Sequence, residues 1–304
     1  MLTFRPDSSG RLSAMRKLFC LAVFGSLMLL VAGATVARAE TVQIKPSLLR
    51  LNGNLELPPG KTAADGVVVI LHGTLSWHGQ ETVVALQKNL KTQGVGSLAI
   101  TLSLGVDDRQ RTRRCDVLHD YALAGVQREV GLWLEWLKGQ QAKSVDLLGF
   151  SRGGAQVAAI APQLPNVRKV VLMAPAFATA LEQAEAYQRA FGHPLQPEIA
   201  EARKNPLATR TVDFLTCKQA PVLNATFLDG YAELAPRLAA RIGKPTLVIV
   251  AGKDEVVPDL AGKLPSDVKP VVIDGASHFF LDLYGEEAAD VIVKFLKADQ
   301  PTTK

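Results

Sequence analysis

The hexapeptide GFSRGG, residues 149–154, sets a serine among glycines, between the apolar run VDLLGF and the helix-like stretch AQVAAIA. A tight turn carrying a hydroxyl is the simple reading. The chemical reading is a nucleophile. Gly149-Phe150-Ser151-Arg152-Gly153 is a G-x-S-x-G string, which lets a strand turn abruptly into a helix because no side chain collides across the corner. The serine hydroxyl then projects from the end of a sheet, and the helix behind it favours developing negative charge. Serine is a poor nucleophile at neutral pH and needs a base, itself oriented by an acid. Asp254 in AGKDEVVP and His278 in DGASHFF are the candidates, each following an apolar run. Alone, each has a plainer reading: a turn serine, a capping aspartate with Glu255 as the rival acid, a satisfied loop histidine. Together, in the order Ser, Asp, His, they point to nucleophilic acyl transfer.

The elements that must position these groups are legible as alternating patterns. GVVVILHG, GSLAITLS, SVDLLGF, VRKVVLMAP, KPTLVIVAG and VKPVVIDG are apolar at nearly every position, as parallel strands covered on both faces require. Between them lie helical patterns. TVVALQKNLKTQG ends in a capping glycine, LHDYALAGVQREVGLWLEWLKGQ carries Val126, Val130, Trp133 and Leu137 on one stripe, and EEAADVIVKFLKA is amphipathic. The fold class is α/β, a mostly parallel central sheet flanked by helices. Residues 41–58 suggest an opening hairpin turning at Asn52-Gly53. Residues 177–243 show helix-like pieces such as ALEQAEAYQRAFG and GYAELAPRLAARIG and no strand pattern, so a helical lid insertion is expected there.

With these motifs in place the chain resembles the α/β-hydrolases over residues 60 to 298. GFSRG is similar to the family's nucleophile elbow, GKDEVVP to its acid loop, GASHFF to its histidine loop and VILHGT to its oxyanion strand. The resemblance implies Ser151 as nucleophile, His278 as general base and Asp254 as its orienting acid. It implies an oxyanion hole from the backbone N–H groups of Arg152 and Thr74, with Leu75 one step away, and His72 shaping the loop without catalysing. Trp77 and His78 are candidates for the pocket wall, against a surface-loop reading; His119 and His193 read as structural. Arg152 departs from the small or apolar residue common after the nucleophile. It is expected to pair structurally, the other reading being contact with an anionic substrate. DDRQRTRR, from Asp107, reads as a solvated charged loop, or else as a positive border of the pocket.

The first 39 residues have a basic start, an apolar run from Leu18 to Ala37 and an Ala-x-Ala ending at Ala39, the layout of a signal peptide or of an uncleaved anchor. Five basic side chains against Asp7 place most of the net charge of +5 in this segment. Without a polybasic tract in the remainder, nucleic acid is not an expected partner. A membrane is one only if the leader stays attached. Cys115 and Cys217 remain beyond the leader. In an exported protein they are expected to pair, the alternative being two separate thiols. No metal-ligand spacing and no phosphate-binding glycine loop occur, and no cofactor is expected. These observations predict a periplasmic or secreted serine hydrolase cleaving carboxylic esters of a small acyl substrate. The same residues would serve a thioesterase, an acyltransferase, a peptidase or a non-catalytic binding protein.

Overall fold

The computed structural model describes residues 39–46 and 48–298. The leader expected at residues 1–39 lies outside them but for Ala39. The elements run in chain order: β1 (Ala39–Ile44), β2 (Leu51–Glu56), β3 (Val67–Leu71), α1 (Glu81–Thr92), β4 (Gly96–Thr101), α2 (Leu123–Gly139), β5 (Val145–Phe150), α3 (Arg152–Ile160) and β6 (Val167–Met173). There follow α4 (Ala180–Phe191), α5 (Leu195–Lys204), β7 (Thr209–Phe214), β8 (Cys217–Leu223), α6 (Asn224–Gly230), β9 (Thr246–Ala251), α7 (Leu260–Lys263), β10 (Val271–Ile273) and α8 (Leu283–Lys297).

Eight strands form one sheet in the order β1-β2-β4-β3-β5-β6-β9-β10. It is antiparallel at β1/β2 and β2/β4 and parallel from β4 to β10. Side chains alternate between the faces of a strand, so each strand feeds two cores. Val67, Val69 and Leu71 of β3 join Trp133 and Leu137 of α2 and Val157 of α3 on one face. Val68 and Ile70 join Leu86 and Leu90 of α1 and Ile292 and Leu296 of α8 on the other. This is why the strands read as unbroken apolar runs. The parallel arrangement also gathers their carboxyl ends along one edge, where ligand sites of such sheets lie.

Two expectations are corrected. The opening hairpin reverses between Ile44 and Leu51, which pair with each other, and not at Asn52-Gly53. Those two residues sit inside β2, with Gly53 opposite Val42. A Cβ at Gly53 would come within 3.1 Å of the Ala99 carbonyl oxygen and 3.4 Å of the Trp133 ring, so the glycine serves close packing.

The insertion at 177–243 is not wholly helical. It contains an antiparallel hairpin, β7 against β8. Leu215 and Gln219 with positive φ, and Pro221 within β8, conceal that hairpin in the sequence. The pattern GYAELAPRLAARIG gives only a short 3₁₀ turn, Pro236–Arg241. ALEQAEAYQRAFG does form α4, with a Thr179/Glu182 capping box and Gly192 at φ 82° beyond its end.

Candidate active site

Ser151 stands between β5 and α3 with φ 54° and ψ −123°, a backbone strain held by its surroundings. Its N–H donates to the Met173 carbonyl (2.9 Å), and its own carbonyl accepts from Gly154, Ala155 and Ala176. The flanking glycines are steric necessities. A Cβ at Gly149 would lie 2.3 Å from the Gly153 carbonyl oxygen, and one at Gly153 would lie 2.5 Å from that of His72. The turn thus presses against the end of β3, and Gly73 there reaches Ser151 itself, at 3.3 Å between Cβ positions.

The three sequence-predicted residues meet. His278 Nε2 lies 2.9 Å from Ser151 Oγ, and its Nδ1 lies 2.9 and 3.0 Å from the two oxygens of Asp254. All three side chains are buried, His278 to 2% exposure. A carboxylate can only accept, so the proton sits on Nδ1 and Nε2 is free to accept from the serine hydroxyl. Burial pushes the Asp254 carboxyl up. Hydrogen bonds from His278 and from the Val257 and Val256 N–H groups outweigh that and hold it below the ordinary carboxylate value. Glu255, the rival acid, instead accepts the His278 main-chain N–H at 3.1 Å. Phe150 and Phe279 pack on the imidazole, each with ring centroids 5.3 Å away. A neutral imidazole held in this way can take the serine proton and later return it.

The segment after β3 is fixed just as firmly. His72 Nδ1–H donates to the Gly73 carbonyl (2.9 Å), leaving Nε2 to accept from the Leu102 N–H and from Arg109. Burial, with Arg109 adding to it, lowers the His72 pKa to about 3, so the ring is neutral across the physiological range. Arg113 N–H donates to the Leu75 carbonyl (2.7 Å), and Leu75 itself has φ 53°. Among the described residues, neither the Thr74 nor the Arg152 N–H has a protein acceptor, so both donors are unspent. His78 is tied back to Thr101 Oγ1 through its main-chain N–H and Nδ1, with Trp77 against its ring.

Two charged positions differ from the sequence reading. Arg152 pairs with no carboxylate; its Nη2 donates to the Gly230 carbonyl of α6 at 3.0 Å, fastening the elbow to the insertion. DDRQRTRR is only partly solvated: Asp107, Arg111 and Arg114 are outside, but Arg109 and Arg113 are buried to 6% and 4% exposure. The cysteines do pair. The Cys115–Cys217 disulfide joins this loop to β8 across 102 residues, and His119 bridges Val222 alongside it. Tyr121, whose hydroxyl is 3.1 Å from His119 Nδ1, and Phe150 belong to the site region without having announced themselves in the sequence. Aromatic residues in apolar runs look like core. His193 contacts Asp213 and Glu198 in the insertion, away from this constellation. Among the described residues, no cluster of metal-ligating side chains occurs and no helix is long and apolar enough to cross a membrane.

This arrangement has relatives. The chain is matched over residues 68–294 by the model of the alpha/beta hydrolase family. Among solved structures, Est1E from Butyrivibrio proteoclasticus is similar at a TM-score of 0.61 and 17% identity, over 85% of this chain and 98% of its own. The Pyrococcus furiosus esterase Pf2001 is similar at 0.56 and 16%, over 86% and 90%. A dienelactone hydrolase from Anabaena variabilis is similar at 0.53 and 21%, over 86% and 98%. At these identities the likeness is one of fold. No curated protein matches the sequence. The family model spans most of the chain: the protein belongs to the alpha/beta hydrolase family.

Proposed function

We propose that the protein is an exported serine hydrolase that cleaves carboxylic esters. The observation that carries this reading is the unbroken chain of hydrogen bonds from Asp254 through His278 to Ser151 Oγ. Ser151 attacks the acyl carbonyl while His278 Nε2 takes its proton, and the imidazolium formed is stabilised by Asp254. The oxyanion is received by the N–H groups of Arg152, at the start of α3, and Thr74. Collapse expels the alcohol, protonated by His278, and leaves an acyl-enzyme. Water then repeats the sequence and releases the acid. The insertion over this edge acts as a lid that shapes the acyl pocket, with Arg152 and the disulfide tying it down. Export is supported by that same disulfide, since such bonds persist in oxidising compartments.

Labelling with a fluorophosphonate probe tests the reading directly. The native protein should be modified at Ser151 and the Ser151→Ala variant should not. Equal labelling of the two would mean that this hydroxyl is not activated, and the protein would then be a binder on a hydrolase frame.

A further inference from the structure

The wall between the oxyanion segment, the elbow and the insertion carries three guanidinium groups, none of them in a direct ion pair among the described residues. Arg109 spends its bonds on neutral acceptors, the carbonyls of Leu102 and Arg111 and the ring of His72. Arg113 bonds the carbonyls of Arg114 and Leu118, and its Nε is sealed in with no partner. Arg152, the residue after the nucleophile, has one bond, to the Gly230 carbonyl. Its Nε and Nη1 have no protein acceptor, yet they are not among the sealed atoms. No carboxylate of the described residues lies within ion-pair distance of any of the three. Asp229 and Glu129 face Arg152 and Arg109 at longer range, while their hydrogen bonds go to the Leu123 N–H and to Ser103.

The three charges converge. The Tyr121 hydroxyl is within electrostatic reach of Arg152, Arg113 and Arg109 together, with Asp229 the one carboxylate beside them. Burying a guanidinium without a carboxylate is costly, and three staples to carbonyl oxygens would not need three charges. Arg109 and Arg113 hold loops through their bonded donors, and the remaining Nε of Arg113 is sealed from any ligand, so their contribution is positive potential. Arg152 alone has donors to spare, in a planar fork that suits a carboxylate.

We propose that the site selects esters whose acyl part ends in a carboxylate, gripped by the Arg152 side chain within the positive field of Arg113 and Arg109. This rests on the ester-hydrolase reading above and specifies its substrate class. The acyl chain bonded to Ser151 would extend towards the insertion, its far carboxylate supplying the direct ion pair that the described residues do not give Arg152. A neutral acyl chain of the same length would leave the charges unpaired and gain nothing from them.

A matched pair of substrates tests this: para-nitrophenyl hydrogen adipate and para-nitrophenyl hexanoate, with the uncatalysed rates subtracted. The ratio of their kcat/KM values cancels general losses of folding or turnover. The native protein should favour the adipate by about tenfold or more, and rising salt should narrow that margin. In Arg152→Gln the ratio should fall about tenfold, and Arg152→Lys should retain part of it. A native ratio at or below one, or a ratio unmoved by Arg152→Gln, would overturn the inference and leave the esterase reading intact. Hydrolysis of neither ester would instead count against the esterase reading. In that event calorimetry with the Ser151→Ala protein still decides recognition: adipate binding that weakens in the added Arg152→Gln background upholds it, and no binding refutes it.

Discussion

At the scale of single residues, the two adjacent carboxylates Asp254 and Glu255 have different work, and mutation should separate them. Asp254 holds the Nδ1 proton of His278, so Asp254→Asn should lower kcat by about 10⁴ through loss of the correct tautomer. Glu255 only anchors the histidine main chain, and Glu255→Gln should cost on the order of tenfold or less. Ser151→Ala or His278→Ala should cost on the order of 10⁶ each, and the double variant little more, since such groups act as a unit. Steady-state kinetics on a para-nitrophenyl ester reads all of these. Equal losses at Asp254 and Glu255 would contradict the division of roles.

At the scale of elements, α2 and the disulfide are each open to a single stability measurement. Trp133 is fully buried between α2 and the sheet, packed edge-on to Trp136. Trp133→Ala should destabilise the protein by about 3–5 kcal/mol, read from the urea midpoint at constant slope. The Cys115–Cys217 bond closes a loop of 102 residues, for which the loss of unfolded-state entropy is about 4.7 kcal/mol. Cys217→Ser should therefore lower the midpoint strongly. Because the bond tethers the Arg109–Arg113 loop to β8, its loss in Cys217→Ser should also raise the KM for the adipate ester more than that for the hexanoate. Unbroken apolar runs and helical stripes were enough to read β3, β4, β5, β6, β9 and β10 and α1, α2 and α8. The hairpin of the insertion was not readable in this way. Its outward polar residues, a proline and two residues at positive φ break the period, and it is held by contacts to His119 and Cys115 far away in the chain.

For the whole molecule, two buried neutral histidines couple stability to pH. Burial, then Arg109, lowers His72 to about 3; burial, then Arg113, lowers His119 to about 4. In the unfolded chain both titrate near 6.5. Between those values the unfolded state binds protons that the folded state refuses, so stability falls as pH falls from about 6.5 towards 4. Each group contributes a slope of about 1.4 kcal/mol per pH unit within that window. Urea midpoints should drop clearly between pH 7 and pH 5, and His119→Gln should make the slope shallower without abolishing it, since His72 and the downshifted His78 remain. A flat profile would mean that these rings are not buried neutral.

The amino-acid sequence alone determined the order of the parallel strands and of α1, α2 and α8, and singled out Ser151, His278 and an acid at Asp254 or Glu255, because period, turn chemistry and the needs of a serine nucleophile are local or combinatorial properties. Tertiary structure alone decided that Asp254 rather than Glu255 meets the imidazole, that Cys115 and Cys217 do bond, and that Arg109 and Arg113 are buried without a direct ion pair among the described residues while Arg152 keeps open donors. Each of these depends on which distant segments share a few ångströms of space. A charged residue in a polar run carries no local sign of whether water or the interior of the protein will surround it.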